Sequence, residues 1–390
     1  MIPELRKDFN ARWTPELYGK FLRCLDERAG THVEFRCSET PIFLPAPLLN
    51  KMVRYGQELY SQLASNSAYR HVSDSAIPAP FRVPNEAAHP LFVQADFGLI
   101  KAPDGSLEPR LVEIQGFPSI YALQAAIADS YRGAYQLHPG LKLYLGGLDE
   151  SGFSDILKRA IVAGHDPENV ALLEIDPYQQ KTAADFLLTR KMLGVRIVNI
   201  RDVKKLGSKL YAEGIEIKRI YNRVIVDELL RKDVDLAFSF TDDLDVEWAG
   251  HPNWFFRLSK FSLPWFDHVS VPETRFLSDV KVLPPDLGNY VLKPLYSFAG
   301  LGVRIGPSRE EIQAIPEAKR ADFILQRRMD FVPTIETPGG LTKVEIRIMY
   351  IWDGELRPVT TVLRTGRGKM MGVDFNKNLD WVGASAGFYL

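Results

Sequence analysis

The residues best suited to chemistry lie on a segment that reads as two strands joined by a tight turn. Residues 92–119, FVQADFGLIKAPDGSLEPRLVEIQGFPS, place two strand-like runs around a Pro-Asp-Gly turn. Asp96 lies on the first run and Glu113 on the second, and Gln115 shares a face with Glu113 by the two-residue period of a strand. Two carboxylates and an amide oxygen suit Mg²⁺. The segment predicts a magnesium site at these three residues, with solvated side chains as the alternative.

A second segment has the features of a phosphate-binding loop. Residues 289–306, NYVLKPLYSFAGLGVRIG, read as a strand ending in Lys293, a loop with Gly300 and Gly302, and a second strand. Glycine permits positive φ and close approach of backbone amides to phosphate oxygens, while the lysine supplies a point charge. The segment predicts a lid over a triphosphate, with an ordinary hairpin and a solvated lysine as the alternative.

The order of elements around this lid resembles the ATP-grasp superfamily. Lys260 precedes the lid, the apolar run FILQRRMDFVP follows it, and the alternating run KVEIRIMYIWDGEL then carries Arg347. The resemblance implies that both lysines contact nucleotide phosphates and that the run after the lid contacts adenine. The residues implied to bind ATP are Lys260, Lys293, Ser297, Gly300, Gly302, Gln326 and Met329.

The acidic hairpin resembles, more specifically, the metal-binding hairpin of eukaryotic-type glutathione synthetases and glutathionylspermidine synthetases, which are circularly permuted ATP-grasp ligases. Those enzymes typically show Arg-x-Asp on one strand and Glu-x-Asn-x-x-x-Pro on the next. The matching residues are Gln94-Ala95-Asp96, Glu113-Ile114-Gln115 and Pro118. Both carboxylates are kept, but Gln94 cannot supply the positive charge that an arginine gives a developing acyl phosphate. Another arginine would have to supply it, and the candidates are Arg110, Arg223 and Arg347.

The C-terminal segment carries a candidate anion clamp. Arg364 is followed by Gly366-Arg367-Gly368-Lys369, and guanidinium groups bind carboxylates bidentately. By resemblance to the substrate loop of the permuted glutathione synthetases, Arg364 holds a substrate carboxylate, with Gly366 beside it. A mobile surface loop is the alternative. Asp374-Phe375-Asn376 is a rival metal pair, where an unpermuted ATP-grasp protein keeps its ligands.

Composition indicates a multidomain globular protein. The chain has 390 residues, 46% apolar and 25% charged, with a net charge of −1 and two cysteines. We expect no nucleic-acid or membrane partner, reduced thiols, and a soluble cytoplasmic protein, because no basic run, signal-like start or long apolar run occurs. The oligomeric state is left open, a homodimer included.

The chain pattern predicts a mixed α/β fold of the permuted ATP-grasp type with three parts. Residues 1–140 would carry the acidic hairpin, residues 141–245 a small parallel α/β substrate domain, and residues 246–390 the lid and the C-terminal substrate loop. In the middle part, KLYLGG, NVALLEI, VRIVNI and IEIKRIYNRV read as strands that alternate with helices. A dinucleotide-binding domain is the alternative for this part, but Gly146-Gly147 lacks the GxGxxG spacing.

Together these features predict an ATP- and Mg²⁺-dependent carboxylate–amine ligase that works through an acyl phosphate. Arg347 and Arg364 would hold developing or resting anions. Arg223 would reach substrate or ATP, or else pair with Asp227 or Glu228. The substrates would be a small carboxylate and a small amine. A small-molecule kinase and a non-catalytic ATP-binding protein are the alternatives.

Overall fold

The structure is a computed structural model and describes residues 1–297, 300–368, 370–371, 376 and 378–390. The α-helices in this part of the chain are α1 Pro3–Arg12, α2 Pro15–Ala29, α3 Ala46–Ser65, α4 Ser67–Ser73, α5 Tyr121–Tyr135, α6 Glu150–Ile161, α7 Ala183–Leu193, α8 Val226–Arg231, α9 Asn253–Arg257 and α10 Arg309–Gln313. Short 3₁₀ helices span Ala79–Phe81, Pro167–Asn169, Pro177–Gln179, Ile200–Asp202, Lys260–Trp265, Leu277–Asp279, Leu287–Asn289 and Glu317–Asp322.

A six-stranded sheet contains the acidic hairpin. Its strands are β2 Phe92–Lys101, β3 Leu107–Gln115, β15 Ile335–Thr337, β16 Gly340–Trp352, β17 Leu356–Gly366 and β18 Gly383–Ser385. The order is β18-β17-β16-β2-β3, with β15 paired to β16, and the paired strands are antiparallel. The predicted hairpin is confirmed.

A second sheet carries the predicted lid. Its strands are β11 Thr274–Phe276, β12 Tyr290–Pro294, β13 Arg304–Ile305 and β14 Phe323–Arg327, in the order β11-β14-β12-β13. β12 and β13 pair antiparallel on either side of the glycine-bearing loop. Gly300 has φ +76° and Gly302 φ +73°, and a Cβ on Gly302 would lie 2.9 Å from Pro294 Cγ. The chain therefore needs glycine at Gly302 to make this turn.

The remaining strands form a parallel sheet, a small meander and a two-stranded pair. The parallel sheet has the order β10-β9-β4-β5, from β4 Val170–Glu174, β5 Arg196–Asn199, β9 Arg219–Asn222 and β10 Glu247–Ala249. The meander is β6 Lys204–Leu206, β7 Lys209–Ala212 and β8 Ile215–Ile217, and β1 Ile42–Phe43 pairs with β19 Gly387–Phe388.

Local chemistry explains where two of the helices begin and end. Thr14 caps α2 by accepting from the Leu17 amide at 3.3 Å, Pro15 occupies its first turn, and Gly30 ends it with φ +70°. Asp149 caps α6 by accepting from the Gly152 amide at 2.8 Å. No helix within the described residues is long and apolar enough to cross a bilayer.

One predicted strand of the middle region does not form. KLYLGG makes a single bridge, between Lys142 and Tyr389, and its two glycines turn with φ +61° and +76°. Its apolar residues Leu141, Leu143 and Leu145 are nevertheless buried. The prediction was wrong there because a short apolar run reports burial and does not by itself distinguish a strand from a buried loop.

Candidate functional site

The hairpin of β2 and β3 sets the predicted metal donors opposite one another. Asp96 pairs in register with Glu113, and Gln94 with Gln115, so all four side chains belong to neighbouring positions of one sheet. Asp96 is 1% exposed and Glu113 23% exposed at the side chain. The site therefore has a buried carboxylate and a more accessible one.

Arg347 from β16 fills the space beside this hairpin. It pairs in register with Asp96 and holds that carboxylate bidentately, Nε to Oδ1 at 2.6 Å and Nη2 to Oδ2 at 2.7 Å. Nη1 donates to Gln94 Oε1 at 2.9 Å and to Ser119 Oγ at 3.3 Å. The Gln115 amide is satisfied with its oxygen toward Arg347, accepting from Nη2 at 2.8 Å. All five N–H groups of the guanidinium then have acceptors.

This saturation changes the role predicted for Arg347, which was one of the three candidates to replace the charge missing at Gln94. Of the candidates, Arg347 is the one that binds Gln94 directly. Burial alone would lower the pKa of Arg347, but Asp96 and Glu113 raise it, so the guanidinium stays charged. With every N–H engaged, Arg347 fixes the hairpin and offers no donor to a substrate. The geometry does not support the expected direct contact of Arg347 with a substrate anion.

Arg364 from β17 is a second guanidinium at this carboxylate cluster. Its Nη2 donates to Glu345 and, at 3.3 Å, to Asp96 Oδ2. Among the described residues its hydrogen bonds use Nη2 alone, and its side chain is 28% exposed. Arg364 thus has the chemistry of an anion-binding group.

Glu345 is a site residue that the sequence analysis missed. It pairs in register with Arg364, and burial raises the pKa of its carboxyl group. The available signal was the two-residue period, since Glu345 and Arg347 share a face of β16.

Lys260 and Lys293 approach Glu113 from the lid side. Lys260 Nζ lies 3.4 Å from Glu113 Oε2 and donates to the Ser297 carbonyl at 2.6 Å. Lys293 Nζ donates to the Val112 carbonyl at 3.1 Å and to Gln326 Oε1 at 2.6 Å. Glu113 is thus the carboxylate that forms an ion pair with a lysine of this site.

Burial and charge act on these groups in opposite directions. Burial lowers the pKa of Lys293 to about 8. Burial would raise the pKa of Glu113, but Lys260 and Arg347 hold it below its ordinary range. Glu113 therefore stays ionised at neutral pH. Lys293 loses its charge as the pH rises through about 8.

A narrow cleft adjoins Lys260 and Ser297, two of the predicted ATP-binding residues. A cavity of about 20 Å³ is bordered by Glu113, Gln115, Lys260 and Ser297. Gln326 is buried and also donates to Thr274 Oγ1 at 3.0 Å, while Met329 follows β14 and is half-buried. The cleft has room for about one water molecule and is too small for a nucleotide.

The predicted magnesium donors do not fit a metal ion in this arrangement. Both Asp96 oxygens are bound by Arg347, the Gln115 oxygen faces the same guanidinium, and Glu113 is the one donor left. No group of three His, Cys, Asp or Glu side chains positioned to hold a metal occurs in the described ranges. Asp374 and Phe375 of the rival pair lie outside the described residues.

The C-terminal turn uses its own amides internally. Asn376 Oδ1 accepts from the amides of Arg367 at 3.1 Å and Gly368 at 3.2 Å. A Cβ on Gly366 would lie 3.2 Å from the Asn376 amide. The close approach expected at Gly366 exists, but Asn376 occupies it. Lys369 lies outside the described residues.

Arg223 braces the parallel sheet against the hairpin. It donates to Asp185 Oδ2 at 2.7 Å and to the Ser119 carbonyl at 3.1 Å, and both charged side chains are buried. The sequence analysis offered Asp227 or Glu228 as its partner and missed Asp185. Ser119 also accepts from Arg347, so it joins the two arginines.

A buried acid ends β4 beside this brace. Burial raises the pKa of Glu174 to about 8, and its Oε1 accepts from the Ile175 amide at 2.8 Å. Glu174 therefore lies at the carboxyl edge of the parallel sheet, where such sheets bind ligands.

A larger pocket of about 300 Å³ lies elsewhere, beside β10 and the loop of residues 83–87. Its charged walls Arg219 and Glu247 already pair at 2.6 Å, and Arg219 also donates to two helix carbonyls. It contains none of the predicted site residues, and we place the candidate site at the hairpin.

Comparison with known proteins supports the fold. No protein-family model matches this sequence, and no curated protein matches it. A solved structure described as a glutathione synthetase-like effector from Globodera pallida, in its apo form, aligns over 97% of this chain and 98% of its own. The TM-score is 0.59 and the sequence identity 11%. The chain thus has a mixed α/β, glutathione synthetase-like fold, as the sequence analysis expected.

Proposed function

We propose that this protein is an ATP-dependent carboxylate–amine ligase of the permuted ATP-grasp type. The observation that carries the proposal is the convergence of Lys260 and Lys293 on the hairpin beneath the glycine-bearing loop. Three of their four nearest oxygens are neutral backbone or amide oxygens, so their charge is compensated by one carboxylate, Glu113. Phosphate oxygens are better partners for an ammonium group than neutral carbonyls. This pair therefore suits a polyphosphate.

In this proposal the residues of the site position the substrates or neutralise the charge of the phosphates. Lys260 and Lys293 exchange their carbonyl partners for phosphate oxygens, and Gln326 and Met329 border the adenine. Arg364 turns its unused N–H groups toward the substrate carboxylate or the acyl phosphate formed from it. The amine then attacks the acyl carbon and free phosphate leaves. The closed loop excludes water, which matters because an acyl phosphate hydrolyses.

A phosphate-release assay with pooled substrates tests the ligase. ATP would be supplied with pooled amino acids, small peptides and polyamines, while mass spectrometry follows the products. We expect pool-dependent phosphate release and a product that is lighter by one water than its parts. Lys293→Met and Arg364→Gln should abolish both signals. Arg357→Gln, at an exposed position of β17, serves as the matched control and should retain them.

The alternatives give different products. A phosphorylated substrate without free phosphate would identify a kinase. Release of phosphate in Lys293→Met as well would show that the assay reports a contaminant or another site, and the proposed site would be rejected.

A non-catalytic ATP-binding protein is the second candidate, and Arg347 is the observation that favours it. Its guanidinium occupies the middle of the carboxylate cluster, where a phosphoryl-transfer enzyme would need an accessible charge. This candidate predicts an ATP-dependent rise in melting temperature, lost in Lys293→Met, with no turnover on any pool.

A further inference from the structure

We propose that Arg347 stands in the place of a divalent cation, so that the carboxylate cluster of this protein takes no metal and its phosphate-bearing ligand binds without one. The inference rests on the proposed function only for the nature of that ligand. Its first part concerns Arg347, Asp96 and Glu113 alone, and can be tested with no nucleotide present.

The positions of the acceptors carry the first step. A metal bound between β2 and β3 would take the oxygens of Asp96, Glu113 and Gln115. Arg347 takes both oxygens of Asp96, and the Gln115 oxygen faces the same group. The guanidinium also lies 3.9 Å from Glu113 Oε1. The Arg347 guanidinium thus contacts all three residues that were predicted to ligate the metal.

Charge balance carries the second step. The cluster contains the carboxylates of Asp96, Glu113 and Glu345 and the cations of Lys260, Lys293, Arg347 and Arg364. Counted as ionised, four positive groups face three negative ones. A divalent ion added to this cluster would meet a net positive charge, whereas an anion would meet an attractive one.

The burial of Arg347 carries the third step. Its side chain is 14% exposed and five N–H groups have acceptors. An entering metal would have to strip those acceptors and leave a buried guanidinium without partners, which is strongly unfavourable. Mg²⁺ also sheds its water shell reluctantly. The guanidinium therefore wins the competition for Asp96.

Titration with Mn²⁺, followed by electron paramagnetic resonance of the free ion, tests the exclusion directly. We expect no site on the wild-type protein that depends on Glu113. Removing the guanidinium in Arg347→Met leaves the carboxylates without their main partner and should raise affinity for Mn²⁺ by roughly tenfold or more. Arg357→Met, on the neighbouring strand, is the matched control and should leave binding unchanged.

Each outcome of the Mn²⁺ titration either supports or overturns the proposal. A single Mn²⁺ site on the wild type that is lost in Glu113→Gln would overturn the proposal. If neither the wild type nor Arg347→Met binds the ion, Arg347 is not what excludes it and the proposal fails. Should Arg347→Met not fold, Arg347→Lys keeps one charge but loses the bidentate grip, and a gain of the ion there supports the proposal while no gain overturns it.

A second measurement separates this inference from the proposed function. The melting temperature would be followed with ATP in EDTA and with ATP in excess Mg²⁺. We expect the same upward shift in both. A shift in melting temperature that requires Mg²⁺ would overturn the proposal that the ligand binds without a metal. No shift in either buffer would reject ATP as the ligand, while the Mn²⁺ titration would still decide whether Arg347 excludes a metal.

Discussion

The cations on the two sides of the acidic hairpin are held in opposite ways. On the sheet side, Arg347 is locked to a buried carboxylate and has no donor left. On the lid side, Lys260 and Lys293 bind mainly neutral carbonyl oxygens. A cation whose donors are all engaged with buried acceptors, like Arg347, contributes to the fold, whereas Lys260 and Lys293, bound mainly to neutral oxygens, keep charge for a ligand. The difference indicates which residues stabilise and which bind.

Removing the Arg347 guanidinium should destabilise the folded protein on the sheet side of the hairpin. Arg347→Met leaves Asp96 buried without its main partner, and losing one member of a buried pair costs about 3–5 kcal/mol. Arg357→Met, whose side chain is half exposed, should change the free energy of unfolding by less than about 0.5 kcal/mol. Denaturant unfolding of both variants measures the contrast. Equal costs would mean that Arg347 is no more structural than a surface arginine.

The charge of Lys293 should make the lid side sensitive to pH. Burial lowers its pKa from 10.5 to about 8 in the folded chain, so between these values the unfolded state binds the extra proton. The free energy of unfolding should therefore rise with pH in this window, by at most about 1.4 kcal/mol per unit from this group. Over the same window ATP affinity should fall, because the ammonium becomes neutral.

The difference between the wild type and Lys293→Met isolates this group from other titrating side chains. The rise in stability should vanish in the variant. A wild-type curve parallel to that of Lys293→Met from about pH 8 to about pH 10 would show that the lysine stays charged when buried.

The strands that carry the site were predictable from sequence, but the contacts between their side chains were not. The β2–β3 hairpin has a turn signal and a two-residue period, both local. The Arg347–Asp96 contact joins residues 251 positions apart, and no local pattern reports it. Gln94 marked a missing charge in the sequence, and only the strand order β16-β2-β3 shows that Arg347 lies beside it.

The same limit explains Asp185. It lies within a helical pattern, where an acid normally reads as a solvated side chain, and its burial against Arg223 depends on how α7 packs on the parallel sheet. Glu345 was closer to prediction, since it shares a face with Arg347, but its partner Arg364 comes from the next strand.

The smallest expected effect concerns Ser119, which joins the locked arginine of the hairpin to the brace of the parallel sheet. Its hydroxyl accepts from Arg347 at 3.3 Å and its carbonyl from Arg223 at 3.1 Å. Ser119→Ala removes the longer contact and keeps the carbonyl, so we expect a loss of about 0.5–1.5 kcal/mol in the free energy of unfolding. Arg347 would lose one of five acceptors and keep Asp96. A loss as large as that in Arg347→Met would mean that the two arginines act as one unit through Ser119, and that the sheet side of the site extends into the parallel sheet.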